Sequence, residues 1–98
     1  MRSENVSQKI GRRNEMTAEE YCRRQGYEVF NLNKGCPDLL VAKDGKAQFF
    51  VEVKTLKHPV HRHQREYHRK LAELGFRTVI ARISDDGKVN EEKLLKEL

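Results

Sequence analysis

Two acids and a lysine, Asp38, Glu52 and Lys54, stand inside otherwise apolar runs of this chain. The first run reads Gly35-Cys36-Pro37-Asp38-Leu39-Leu40-Val41. The second, after a turn, reads Phe49-Phe50-Val51-Glu52-Val53-Lys54. A charge in a buried strand is costly unless it is paired or holds a metal. Two carboxylates converging on one point make a hard oxygen site suited to Mg²⁺. The backbone carbonyl of Val53 can add a ligand, and water and a phosphate oxygen fill the rest. A metal so held polarises a phosphoryl oxygen and lowers the pKa of bound water. Lys54 can then orient the attacking water and offset charge developing on the phosphate. The chemistry these residues could do together is phosphodiester hydrolysis. A plainer arrangement has Asp38 capping the turn after Pro37 while Glu52 and Lys54 form an edge-strand ion pair; the combination of Gly-x-Pro-Asp with Glu-x-Lys favours the site.

Whether the three can meet is a question of strand parity. Side chains alternate faces along a strand, so Glu52 and Lys54 share one face. The position of Asp38 depends on the hairpin loop. A two-residue Asp44-Gly45 loop pairs Lys43 with Lys46 and puts Asp38 on the opposite face. A three-residue loop, Lys43-Asp44-Gly45, pairs Ala42 with Lys46 and brings Asp38 to the face of Phe50, Glu52 and Lys54. Gly45 suits the left-handed third position of such a loop, so the three-residue form is expected. A bulge near Asp38 would achieve the same result.

The elements that must position these residues follow from periodicity and punctuation. Residues 1–13 are polar and basic and read as an arm or a short helix start, and Asn14 to Gln25 reads as a helix ending at Gly26. Tyr27 to Leu32 alternates as a half-buried strand, followed by a turn at Asn33-Lys34-Gly35. Leu39 to Ala42 and Phe49 to Val53 are apolar on both faces, as strands covered by helices are. Val60 to Leu74, bounded by Pro59 and Gly75, reads as a second helix. Arg77 to Ile83 reads as a fourth strand. Asn90 can cap a last short helix carrying Leu94, Leu95 and Leu98. The expected order is α-β-β-β-α-β-α, an α/β domain over residues 14–98.

The 98 residues suffice for one small domain. Charged residues make up 36% and hydrophobic ones 37%, but the latter cluster into strands, which excludes a disordered chain. A net charge of +5 and a pI near 9.4 point to a polyanionic partner, nucleic acid by default. Cys22 and Cys36 have no zinc spacing and are too few for a secreted disulfide scaffold, so reduced thiols and a cytoplasmic location are expected. No apolar run is long enough to span a bilayer.

With these residues in order, the chain resembles the PD-(D/E)XK nuclease superfamily, most closely its small VRR-NUC type, with archaeal Holliday junction resolvases as cousins. The resemblance runs from about Glu15 to the C-terminus. It rests on Gly35-Cys36-Pro37-Asp38, on Phe50-Val51-Glu52-Val53-Lys54, on Gln64 opening a helix that Gly75 closes, and on Thr78-Val79-Ile80 as the last core strand. It implies a restriction-endonuclease-like mixed sheet flanked by helices and a Mg²⁺-dependent nuclease, with Mn²⁺ able to substitute. It also implies a further acid on the first helix. Glu15, Glu19 and Glu20 are the candidates, and the spacing of resolvase-like members back from Gly26 selects Glu15 as a metal ligand beside Asp38, Glu52 and Val53. Gln64 would help hold the water, the lysine or the phosphate. A homodimer is expected, partly by analogy, with branched, flap or junction DNA as substrate.

Lys57, Arg62, Arg65 and Arg69 offer a phosphate track, and Arg12 and Arg13 a second basic segment. The histidines at 58, 61, 63 and 68 lack a matched second pair for a structural zinc site, so phosphate contact or exposure is expected of them. Tyr67 is expected in the core or an interface, and Cys36 as a small packing residue. The competing function is a non-catalytic nucleic-acid-binding module that keeps the fold; a third is a protein-interaction domain, whose binding would not weaken with salt.

Overall fold

A computed structural model describes residues 6–32 and 37–90. The order is α1 (Val6–Arg24), β1 (Glu28–Asn31), β2 (Leu39–Lys43), β3 (Lys46–Thr55), α2 (Arg62–Glu73) and β4 (Thr78–Ile83). The four strands form one sheet in the order β1-β2-β3-β4. The first three pair antiparallel, and β4 joins β3 parallel through the α2 crossover. The expected C-terminal helix, the Asn33-Lys34-Gly35 turn and Cys36 lie outside the described residues. No helix among the described residues is long and apolar enough to cross a membrane.

One face of the sheet carries the core. Leu39 and Val41 of β2, Phe49 and Val51 of β3, and Val79 and Ala81 of β4 pack with Ala18, Tyr21 and Cys22 of α1. Alternation explains the set, since every second strand residue faces α1. Among the described side chains of α1, the buried ones are Asn14, Ala18, Tyr21 and Cys22, a stripe at i, i+4, i+7 and i+8. Gly26 ends the helix at φ +93°, where Tyr27 N–H reaches back to Cys22 O and Gly26 N–H to Arg23 O. Helix α2 covers the other face lightly and has no fully buried side chain. Tyr67, expected in a core or interface, is exposed on it.

Two features depart from the sequence reading. The first helix begins at Val6, so of the two readings of residues 1–13 the helix start, and not the arm, holds for Arg12 and Arg13. Asn14, a good capping residue in isolation, is instead buried mid-helix, where its Oδ1 accepts from the Arg13 guanidinium. The Thr17 hydroxyl donates back to Arg13 O across the same turn.

The hairpin is the second departure. Lys43 pairs with Lys46, so the loop is the two-residue Asp44-Gly45 form and not the three-residue one. Both loop residues have positive φ, 54° and 76°, which matches the twist of the flanking strands. The register then shifts: Ala42 pairs with Ala47 but Val41 with Phe49, leaving Gln48 as an extra residue on β3. This bulge changes the parity that the short loop alone would impose. Beyond it Leu39 pairs with Val51, and continuing the ladder by one residue sets Asp38 opposite Glu52, on the same face. The expected juxtaposition is present, produced by a bulge far from Asp38.

Candidate active site

Asp38 immediately precedes β2 at the end of the sheet, behind a buried Pro37. Its backbone carbonyl accepts from Leu32 N–H, which ties the residue to the end of β1. Its side-chain Oδ2 accepts from Val53 N–H at 2.7 Å. The N–H and C=O of one strand residue point to the same side, so the Val53 carbonyl also faces the Asp38 side, past the end of β2.

Glu52 is 2% exposed and turns toward α2. There its Oε1 lies 3.2 Å from His68 Nε2. The carboxyl groups of Asp38 and Glu52 also interact directly. Burial, followed by the hydrogen bond with the Glu52 carboxyl, pushes the Asp38 pKa up to about 7, against the opposing pull of the Val53 N–H. Carboxyls this close share either a proton or a cation.

Glu15 approaches from α1. Its Oε2 accepts from Asn31 Nδ2 of β1 at 3.3 Å. Burial and then the nearby Asp38 charge raise its pKa, while the Asn31 bond lowers it. Glu19, one turn on, is paired with Arg23 at 3.8 Å. Of the candidate acids on this helix, Glu15 is the one set against Asp38.

A cleft of about 500 Å³ takes Asp38 and Glu15, but not the buried Glu52, into its wall. Its walls are Gly11, Asn14 and Glu15 of α1 on one side, and Asp38 with Val53 and Lys54 on the other. Lys57 and His58 extend it along the β3–α2 loop. That loop is clipped in place by Arg82, whose guanidinium donates to Thr55 O at 2.9 Å and to His58 O. Lys54 shares the Glu52 face and is half-buried. Its positive charge pulls the Asp38 pKa down and, after burial, is the second cause lowering that of His68.

The remaining predicted residues lie elsewhere. Gln64 spends its side-chain oxygen on the α2 N-terminus, accepting from His61 N–H at 2.9 Å. Arg65 donates to Val60 O at 2.7 Å, and Arg62 pairs with Glu66 at 3.4 Å. Arg69 is exposed on α2, and none of the four is in the cleft wall. Arg12 and Arg13 line a separate shallow groove on the outer side of α1, and Arg13 also reaches Asp85 O. Sequence reasoning missed three supporting residues: His68 behind Glu52, Asn31 behind Glu15 and Arg82 behind the loop. The helical spacing of Gln64, His68 and Leu71 was the available signal for His68.

Among the described residues no group of three or more His, Cys, Asp or Glu could hold a metal ion. The donor set at hand is therefore two carboxylates in contact, Asp38 and Glu52, with a backbone carbonyl beside them. That set fits Mg²⁺, which is commonly held by one or two carboxylates and completed by water and substrate phosphate. It fits zinc poorly, since zinc favours a closed nitrogen and sulfur cage.

A mixed four-stranded sheet between two helices, with an acid pair and a lysine at one end, defines a restriction-endonuclease-like α/β domain of the nuclease type. The VRR-NUC domain family matches residues 2–85, and the chain belongs to that family, within the PD-(D/E)XK nuclease superfamily. Comparison with curated proteins and with solved structures gave no match.

Proposed function

We propose that this protein is a Mg²⁺-dependent DNA endonuclease selective for branched, flap or junction DNA and acting as a homodimer. The observation that carries the reading is the contact of the Asp38 carboxyl with the buried Glu52 carboxyl, Asp38 itself lining a cleft that also presents Lys54 and Lys57. Asp38 and Glu52 would hold the ion, with the Val53 carbonyl beside them and Glu15 bordering the site from α1. The bound ion supplies Lewis-acid polarisation of the phosphate and a more acidic water. Lys54 would orient the attacking water and offset charge gathering on the phosphoryl oxygens. Lys57 and His58 bind the flanking phosphate backbone along the loop. Asn31 keeps Glu15 turned toward the site.

Dimerisation answers a limit of size. The longest dimension of the chain is 38 Å, about one turn of duplex at roughly 3.4 Å per base pair. A second copy would double the footprint and present two cutting sites.

The test is cleavage of labelled duplex, single-stranded, flap and four-way-junction DNA with Mg²⁺, Mn²⁺ or EDTA. Metal-dependent cutting that disappears in Lys54→Ala and Glu52→Ala is expected. DNA retarded but uncut under every metal condition would instead establish a binding module that keeps the fold.

A further inference from the structure

We propose that His68 is a positioning residue of the site: presented from α2, its Nε2–H holds the Glu52 carboxylate in the orientation from which it meets Asp38 and a divalent cation. This rests on the divalent-cation reading above. His68 Nε2 and Glu52 Oε1 are 3.2 Å apart, and the two side chains are 15% and 3% exposed.

The sheet alone cannot set the Glu52 carboxylate. Pairing with Ile80 fixes its backbone, but three side-chain torsions separate that backbone from the carboxylate. An ionised carboxylate only accepts hydrogen bonds, so the imidazole presents N–H at Nε2. His68 thus holds the carboxylate at Oε1 while the same group meets Asp38. Partners of this kind behind a metal ligand fix its orientation, and removing them typically weakens metal binding.

The contact is also not a by-product of dense packing. Helix α2 has no fully buried side chain, and His68 lies in the half-buried row Gln64, His68, Leu71 that faces the sheet. Gln64 is occupied at the helix N-terminus. From this row His68 reaches a site residue, Glu52.

The experiment is calorimetric titration of the full chain with Mn²⁺, without DNA, for wild type, His68→Leu, His68→Gln and His68→Asn. Glutamine places its amide nitrogen where Nε2 stands, whereas asparagine stops one bond short. Thermal melting without metal accompanies each titration. The expected result is Mn²⁺ affinity weakened about tenfold or more in the Leu and Asn variants, largely restored in the Gln variant, with metal-free melting little changed. If His68→Leu fails to melt cooperatively, the Gln and Asn pair, differing by one methylene, carries the comparison. Wild-type affinity in the Asn variant, or a Gln variant as weak as the Asn variant, would overturn the positioning role alone. A wild-type chain that takes up no Mn²⁺ would overturn the cation reading itself, and the positioning role with it.

Discussion

Asp38 is held between two demands. Its Oδ2 is anchored on Val53 N–H, yet its other neighbours include the carboxyls of Glu52 and Glu15. A carboxyl that titrates near 7 in the fold, against 3.8 ordinarily, takes up a proton on folding between those values. Its contribution to stability is therefore fully present below about pH 4 and is lost as pH rises through about 7. His68 runs the other way: its pKa is lowered, chiefly by burial, so its contribution is present above 6.5 and lost as pH falls through the folded value. Comparing wild type with Asp38→Asn isolates the carboxyl, because asparagine keeps an acceptor for Val53 N–H and removes the charge. In metal-free buffer the Asn variant is expected to melt higher than wild type at pH 8, with the gap closing by pH 5. Mg²⁺ should raise the melting temperature of wild type at pH 8, less at pH 6, and leave the Asn variant almost unmoved. Equal pH profiles for the two proteins would remove the acid pair from the account.

At the scale of elements, the site depends on a hairpin whose loop and bulge correct one another. The Asp44-Gly45 turn sets one parity, and Gln48 resets it before the ladder reaches Asp38. Deleting Gln48 should therefore be tolerated: the bulge closes, Val41 still pairs with Phe49, and Asp38 remains opposite Glu52. Retention of fold and of metal-dependent cleavage is expected, read by circular dichroism and the cleavage panel. A deletion that abolished both would show that Gln48 lies in the regular ladder. The β3–α2 loop is a second such case. Arg82→Ala removes charge-assisted bonds to Thr55 O and His58 O, and should cost about 1–2 kcal/mol in urea denaturation. Because that loop carries Lys57 and His58 at the cleft wall, the same variant is expected to raise KM for DNA more than it lowers kcat.

For the whole molecule, the excess of positive charge sets how strongly it meets a polyanion, and the fold decides which charges count. Lys57 lines the cleft, whereas Arg62 is paired and Arg65 bonds to a backbone carbonyl. Lys57→Ala should weaken DNA binding and reduce the slope of log K against log salt by about 1. The double variant Arg62→Ala/Arg65→Ala should change that slope less, as followed by fluorescence anisotropy over a KCl series. A larger effect from the α2 pair would move the DNA path from the cleft wall onto α2. Sedimentation equilibrium addresses the proposed dimer, with twice the 11.5 kDa chain mass expected.

The sequence by itself determined the order of the described elements, since strand and helix periods and the Gly26, Pro59 and Gly75 boundaries are short-range signals. It also singled out Asp38, Glu52 and Lys54, because charges inside apolar runs stand out without any knowledge of the fold. The start of α1 was not legible: nothing in the polar, basic residues 1–13 distinguishes an arm from a first turn, and the helix begins at Val6. Nor was the bulge, because both loop forms suit Asp44-Gly45 locally and the choice falls to the burial of Leu39, Val41, Phe49 and Val51 on one face. The family resemblance had already selected Glu15 over Glu19; only the tertiary structure set it beside Asp38, brought Asn31 to it, and carried His68 across from α2 to Glu52. Asn31 and His68 each stand sixteen residues along the chain from the acid they meet. Their closeness follows from how the sheet and helices pack, which no local pattern of residue types encodes.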